Sequence, residues 1–252
     1  MAIAKKNYLT RRRLCAWAQP KKHVTHALFL FVILIGVTFY DVSTAKAACA
    51  DSPRAGVDWT GCDKRHLHLK NRDLGGAIFT GADLSRSDYL GANLDNASLA
   101  GANLSRARFD NANLIKADFS RAHAYRARFR NAIMTQSSLI EADFHQADFG
   151  GANLQETDLA EANFQETSFR EANLRQADLR RSNLARADLT LADLEGAIIE
   201  NANLYRSTVK GTDLSKTRGM SNSQIAVACG DSATKLPDNI KAPEHWLCSD
   251  SD

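Results

Sequence analysis

The 252-residue sequence contains no apolar run long enough to cross a bilayer, no cysteine between Cys62 and Cys229, and, past residue 47, no phenylalanine outside one five-residue lattice. Also missing are the phosphate-cradling, nucleophile-elbow, zinc-protease and dinucleotide fingerprints. Without them, nothing visible supports an enzyme of any class, and the sequence predicts a non-enzymatic protein with no cofactor. The apolar run "ALFLFVILIGVTFY" at 27–40 has fourteen residues. As a helix it would reach about 21 Å, against roughly 30 Å of hydrocarbon.

That run follows a basic stretch (Lys5, Lys6, Arg11, Arg12, Arg13, Lys21, Lys22) and leads to Ala45-Lys46-Ala47. Basic, apolar and small-residue segments in this order read as a secretory signal over 1–47, cleaved after Ala47. The protein would then be periplasmic or secreted. The alternative is a retained anchor in the inner membrane facing the periplasm, the one case that brings membrane contact. Without residues 1–47 the chain has 24 basic and 28 acidic side chains, so the excess of positive charge belongs to the leader. Net charge therefore argues against DNA binding.

Four cysteines remain beyond the leader, as two local pairs flanking a long middle region: Cys49 and Cys62, then Cys229 and Cys248. Three connectivities exist. Pairing within each end is preferred, because in an oxidising compartment each closed loop would stabilise its own terminus by about 3 kcal/mol. The competing reading is a metal site built from Cys62, His66 and His68 with Cys49, but its spacing matches no common zinc pattern.

The middle region has a period of five. Call the large apolar residue of each unit position i. It falls at 69, 74, 79 and onward to 214, thirty units without a register shift. Seventeen of these residues are Leu and eight are Phe; the others are Tyr89, Ala124, Met134, Ile199 and Val209. Position i−2 is Ala, Ser or Thr in twenty-eight units, and i−1 is Asp or Asn in nineteen.

Five residues rotate a helix by about 500°, so successive leucines would wrap round every face. In a straight strand, residues five apart face opposite sides. The chain must instead turn once per unit, with i and i−2 inward and Asp or Asn at i−1 bonding backbone N–H groups at the bends. Reading every twentieth residue gathers Tyr89, Phe109, Phe129, Phe149 and Phe169 into one column and leaves its neighbour without an aromatic. That segregation is what a four-unit turn would produce. Ala124 puts a methyl where Leu104 and Phe144 stand in its column, which predicts a local gap or a displaced Tyr125.

Units such as "ANLSR", "ADLSR", "ANLQE" and "ADLRR" resemble the consensus of the pentapeptide-repeat family. The resemblance implies an all-β fold: a right-handed quadrilateral parallel β-helix of about 7.5 coils over 67–216, near 36 Å long at roughly 4.8 Å per strand. Residues 48–66 would form an N-terminal cap, with Val57 and Trp59 as a lid. Residues 217–252 would form a C-terminal cap whose "GMSNSQIAVACG" reads as a short helix starting at Ser221 or Asn222 and stopping at Gly230.

With a twenty-residue coil, Arg86, Arg106 and Arg126 stack, and Arg108, Arg128 and Arg130 lie close by. Stacked like charges repel, so these six are the candidate patch for an anion or an acidic partner. Elsewhere the same rule opposes unlike charges: Arg121/Glu141, Glu161/Arg181, Glu166/Arg186, Arg175/Glu195, Arg180/Glu200 and Asp110/Arg130. Asp143 and Asp148 read as turn elements, not an acid/base pair. The functional expectation is an extracytoplasmic scaffold or a protein- or anion-binding module presenting a rigid surface to an unidentified partner. The alternative from the family resemblance is a DNA-mimicking, gyrase-binding protein. That role needs a cytoplasmic location and a strongly acidic face, whereas residues 67–216 carry 18 basic and 20 acidic side chains.

Overall fold

The structure, a computed structural model, describes residues 49–244, 246 and 248. The expected signal segment and its cleavage site lie outside the described residues. No helix among the described residues is long and apolar enough to cross a membrane.

The chain coils with four short sides per turn. Parallel bridges join each residue at i−1 to the residue twenty positions later, as in Asp83↔Asn103 and Asn103↔His123, from Asp58 through Arg218 without a slip. Each strand is a single bridge residue between turns, so the regularity lies in the stacking. The backbone of one unit shows why. In Ala82–Arg86, the N–H of Ala82 closes a turn onto the Phe79 carbonyl at 2.9 Å. Asp83 donates to Cys62 in the coil before, and Leu84 and Arg86 donate to Asn103 and Ser105 in the coil after, at 2.8–2.9 Å. The Ser85 N–H has no carbonyl within reach and is bound by Oδ1 of Asp83 at 3.0 Å. All five donors are bound, as buried or half-buried backbone requires. Asp or Asn at i−1 recurs because it supplies the acceptor that the coil itself cannot.

A second rule concerns i+2. Every fifth residue from Gly56 to Gly211 has positive φ, and twenty-three of them are not glycine, with φ between 54° and 61°. A side chain in this left-handed region costs about 1–2 kcal/mol. The turn carbonyl before it and the coil bonds on either side hold it there. None of these positions is Val, Ile, Thr or Pro. Residues branched at Cβ suffer most at positive φ, and proline cannot reach it.

The interior is filled by i and i−2. Leu84, Phe109, Phe129 and Leu154 are fully buried beside buried alanines such as Ala82 and Ala107. In the aromatic column the rings lie nearly parallel: Tyr89–Phe109 at 4.7 Å, Phe109–Phe129 and Phe129–Phe149 at 4.9 Å, and Phe149–Phe169 at 5.2 Å. Around Ala124, Phe119 and Phe129 from the two flanking sides meet edge to face at 5.8 Å. Phe144, one coil on, approaches them at 6.2 and 5.7 Å. Three aromatic rings thus close around the column position of Ala124. Tyr125 is not drawn inward and stacks outside on His145 at 5.7 Å.

The coil register also reaches into both end segments. Asp58 and Asp63 bridge Ile78 and Asp83, so Trp59 occupies an interior lattice position, buried against Phe79 at 5.4 Å. Its Nε1 donates to the Asp51 carbonyl, and Lys64 lies 4.1 Å over its ring. At the other end, helix α1 (Asn222–Ile225) replaces one side of a coil. Ser221 caps it and Gln224 completes a capping box. The Gln224 amide also donates to the carbonyls of Ile199 and Ala202, at 2.7 and 2.9 Å. The helix stops at Ile225, short of Gly230, because Cys229 returns to the stack and bridges Thr208. Disulfides join Cys49 to Cys62 and Cys229 to Cys248. With Cys49 and Cys62 joined, the Cys/His ligand set has no free thiolates, and no metal-binding group occurs among the described residues.

Candidate functional site

The six arginines singled out in the sequence do not form one cationic patch. Arg86, Arg106 and Arg126 occupy successive i+2 corners and stack along a single edge, all exposed. Arg108 and Arg128 are i−1 residues of the next side, and Arg130 begins the turn after it.

The second group is neutralised. Arg108 contacts Asp88 at 3.3 Å and Asp110 at 3.5 Å, Arg128 contacts Asp110 at 3.0 Å, and Lys70 reaches Asp88 at 3.4 Å. The two carboxylates are nearly buried, at 12% and 7% side-chain exposure, so cations beside them substitute for lost water. Arg130 binds Asp148 at 2.5 Å, and only its backbone N–H reaches Asp110. Sequence reasoning missed these partners because Asp88 and Asp110 hold different positions within their units.

The corner arginines differ from one another. Arg126 lies over the Tyr125 ring at 5.0 Å and donates to Gln146, which donates to Glu166, itself paired with Arg186 at 3.4 Å. The Gln146 amide holds the Glu166 carboxyl below the usual carboxylate range. The guanidinium groups of Arg86 and Arg106 have no anionic partner among the described residues.

Beside these two arginines the surface is notched. Position i+1 on this side holds Arg65, Ser85, Ser105 and Tyr125 in successive coils. Two small residues between two large ones leave an open groove of about 440 Å³. Its length, from Arg65 to Tyr125, spans three coil steps, about 14 Å at 4.8 Å each. Asp83 and Asn103 form the floor, with Asn103 Nδ2 donating to Asp83 Oδ1 at 3.1 Å. Arg65, at one end of the groove, binds Asp63 at 2.6 Å and lies 3.9 Å from Asp83 Oδ2. Its guanidinium keeps the Asp63 carboxyl below the usual range.

Of the other expected charge pairs, Arg121–Glu141 and Arg181–Glu161 form at 2.9 Å and Arg175–Glu195 at 2.5 Å. Arg180 binds Asp178 of its own unit in place of Glu200. Asp143 and Asp148 act as turn acceptors, for the N–H groups of His145 and Gly150.

The profile described as a pentapeptide repeat region matches residues 102–179 and 125–218, and that of the eight-copy pentapeptide repeats matches 65–99 and 77–114. No curated protein sequence matches. Among solved structures, HetL, a pentapeptide repeat protein involved in heterocyst differentiation regulation from the cyanobacterium Nostoc sp. strain PCC 7120, is 27% identical. That match covers 70% of this chain and 88% of HetL, with a TM-score of 0.41. QnrB1, a plasmid-mediated fluoroquinolone resistance protein, is 17% identical over 72% of this chain and 92% of its own, with a TM-score of 0.50. At that identity the likeness bears on the fold alone.

Proposed function

This chain belongs to the pentapeptide-repeat family, and from that premise we propose that it is an exported, non-enzymatic binding module whose rigid rod presents an arginine edge to an anionic partner. Residues 67–216 supply about seven and a half right-handed coils, 48–66 and 217–252 carry the coil register on and close the ends, and 1–47 direct export to the periplasm or beyond. The observation that carries the reading is the state of Arg86 and Arg106. Where most charges on this surface find an opposite number one coil away, these two stand at successive corners without one. Stacked guanidiniums raise each other's energy, and a bound oxyanion removes that cost. Rigidity adds to this, because the backbone that carries the arginines is already fixed and binding has only their side chains to order.

The paired cysteines support an oxidising compartment. A DNA mimic would need an uninterrupted acidic column, whereas here Glu161 stacks on Arg181, and Glu141 on Arg121. Two experiments test the reading. Heparin and anionic liposomes should retain the wild type and release an Arg86→Gln/Arg106→Gln variant at lower salt; equal retention overturns it. N-terminal sequencing should give a mature start near Ala48, and an intact Met1 in the native product would overturn export by cleavage.

A further inference from the structure

We propose that the notch between Arg65 and Tyr125 is a binding site for an anionic saccharide: a sugar ring that carries a carboxylate or a phosphate. The inference rests on the arginine-edge reading and deepens it by naming the ligand class.

Several hydrogen-bonding groups are left over in this one place. Along one wall, Arg86 and Arg106 offer two guanidiniums without counter-ions, a match for the two or three oxygens of a carboxylate or phosphate. On the floor, Asp83 Oδ1 is occupied by the Ser85 N–H and the Asn103 amide. Asp83 Oδ2 has only Arg65, at 3.9 Å, too far for a hydrogen bond. The Ser85 hydroxyl is free as well, while that of Ser105 is spent on Asn103. The notch thus presents two cationic donors together with a carboxylate oxygen that accepts no hydrogen bond and a free hydroxyl.

A bare anion satisfies the arginines and is repelled by Asp83. A neutral sugar satisfies the floor and leaves the arginines unmet. A ligand with an oxyanion at one end and hydroxyl donors beside it uses both. The groove's 440 Å³ falls within the roughly 300–1,000 Å³ of small-ligand sites. Tyr125, backed by His145, closes the end toward which a ring would lie.

The test is calorimetric titration of the full-length exported protein with glucuronate and with glucose 6-phosphate, using glucose and inorganic phosphate as controls. Both anionic sugars should bind, each at least about tenfold tighter than either control, and their order identifies the preferred oxyanion. Ser105→Arg fills the notch while adding positive charge, so it should abolish sugar binding and leave heparin retention equal or stronger. Ser85→Arg, at a hydroxyl with no partner to lose, should do the same. Arg106→Gln should weaken both sugars by about tenfold or more. If neither sugar binds, or inorganic phosphate binds as tightly as the sugars, the saccharide proposal falls. If uridine monophosphate binds more tightly than either sugar, it falls in favour of a nucleotide. Heparin retention that still depends on Arg86 and Arg106 in those cases leaves the broader reading standing; retention independent of them removes both.

Discussion

Ala124 and Phe129 offer the sharpest test of how this interior is packed. Phe129 is fully buried, stacked between Phe109 and Phe149 at 4.9 Å and meeting the edges of Phe119 and Phe144 at 5.8 and 5.7 Å. Phe129→Ala should cost about 5 kcal/mol, the upper end for a buried ring, because each aromatic contact adds to the area term. If these rings already occupy the space beside Ala124, then Ala124→Leu alone overpacks the coil and destabilises by about 1–3 kcal/mol. Joined to Phe129→Ala, the same leucine enters the vacated space, so the double variant should recover at least about 1 kcal/mol relative to the sum of the singles. Equilibrium urea unfolding followed by circular dichroism measures all three. Because a solenoid is held by neighbour contacts, amide exchange in residues 104–149 should report the same order locally. A neutral or stabilising Ala124→Leu, with additive effects in the double variant, would mean that a real gap lies beside Ala124 and would refute this account.

Leu191 is exposed at φ +58°, and asparagine tolerates that region better, so Leu191→Asn should stabilise by about 0.5–1 kcal/mol in urea titrations. Cys49→Ser/Cys62→Ser opens a loop with a sequence separation of 13, and should cost about 3 kcal/mol and raise amide exchange first in the coil of Trp59. Hydrogen bonds from Ser215, Lys235 and the Ser215 backbone lower the Asp213 carboxyl to about 2 in the folded protein, from an ordinary 3.8. Between these values the unfolded chain binds more protons, so this contribution is complete above pH 4 and is lost as the pH falls toward 2. The group is half exposed, so the effect should be under about 1 kcal/mol. Proton NMR of the Lys235 region should show it, and Asp213→Asn should remove the pH dependence.

The quintet lattice was legible because a large interior residue tolerates little variation, and a thirtyfold repeat turns that intolerance into a sequence signal. The same holds for the aromatic column and for the two local cysteine pairs. The i+2 rule was also present, as the absence of Val, Ile, Thr and Pro. It was harder to see, since positive φ excludes side-chain types and does not select one. The ends were read less well: Trp59 lies five residues from Lys64, which breaks the apolar lattice although the backbone continues through it. Helix α1 ends early because its length is set by the room one coil side leaves.

The site divides along the same line. Repeat arithmetic was enough to stack Arg86 on Arg106. It could not reveal that Arg108 and Arg128 share buried carboxylates, or that two serines between Arg65 and Tyr125 open a notch. The sequence alone settles which residues face the interior, because the large apolar side chains recur in register at a step of twenty. The outer surface is decided only by the folded coil, because there a side chain's partner depends on which corner it turns and how far it reaches.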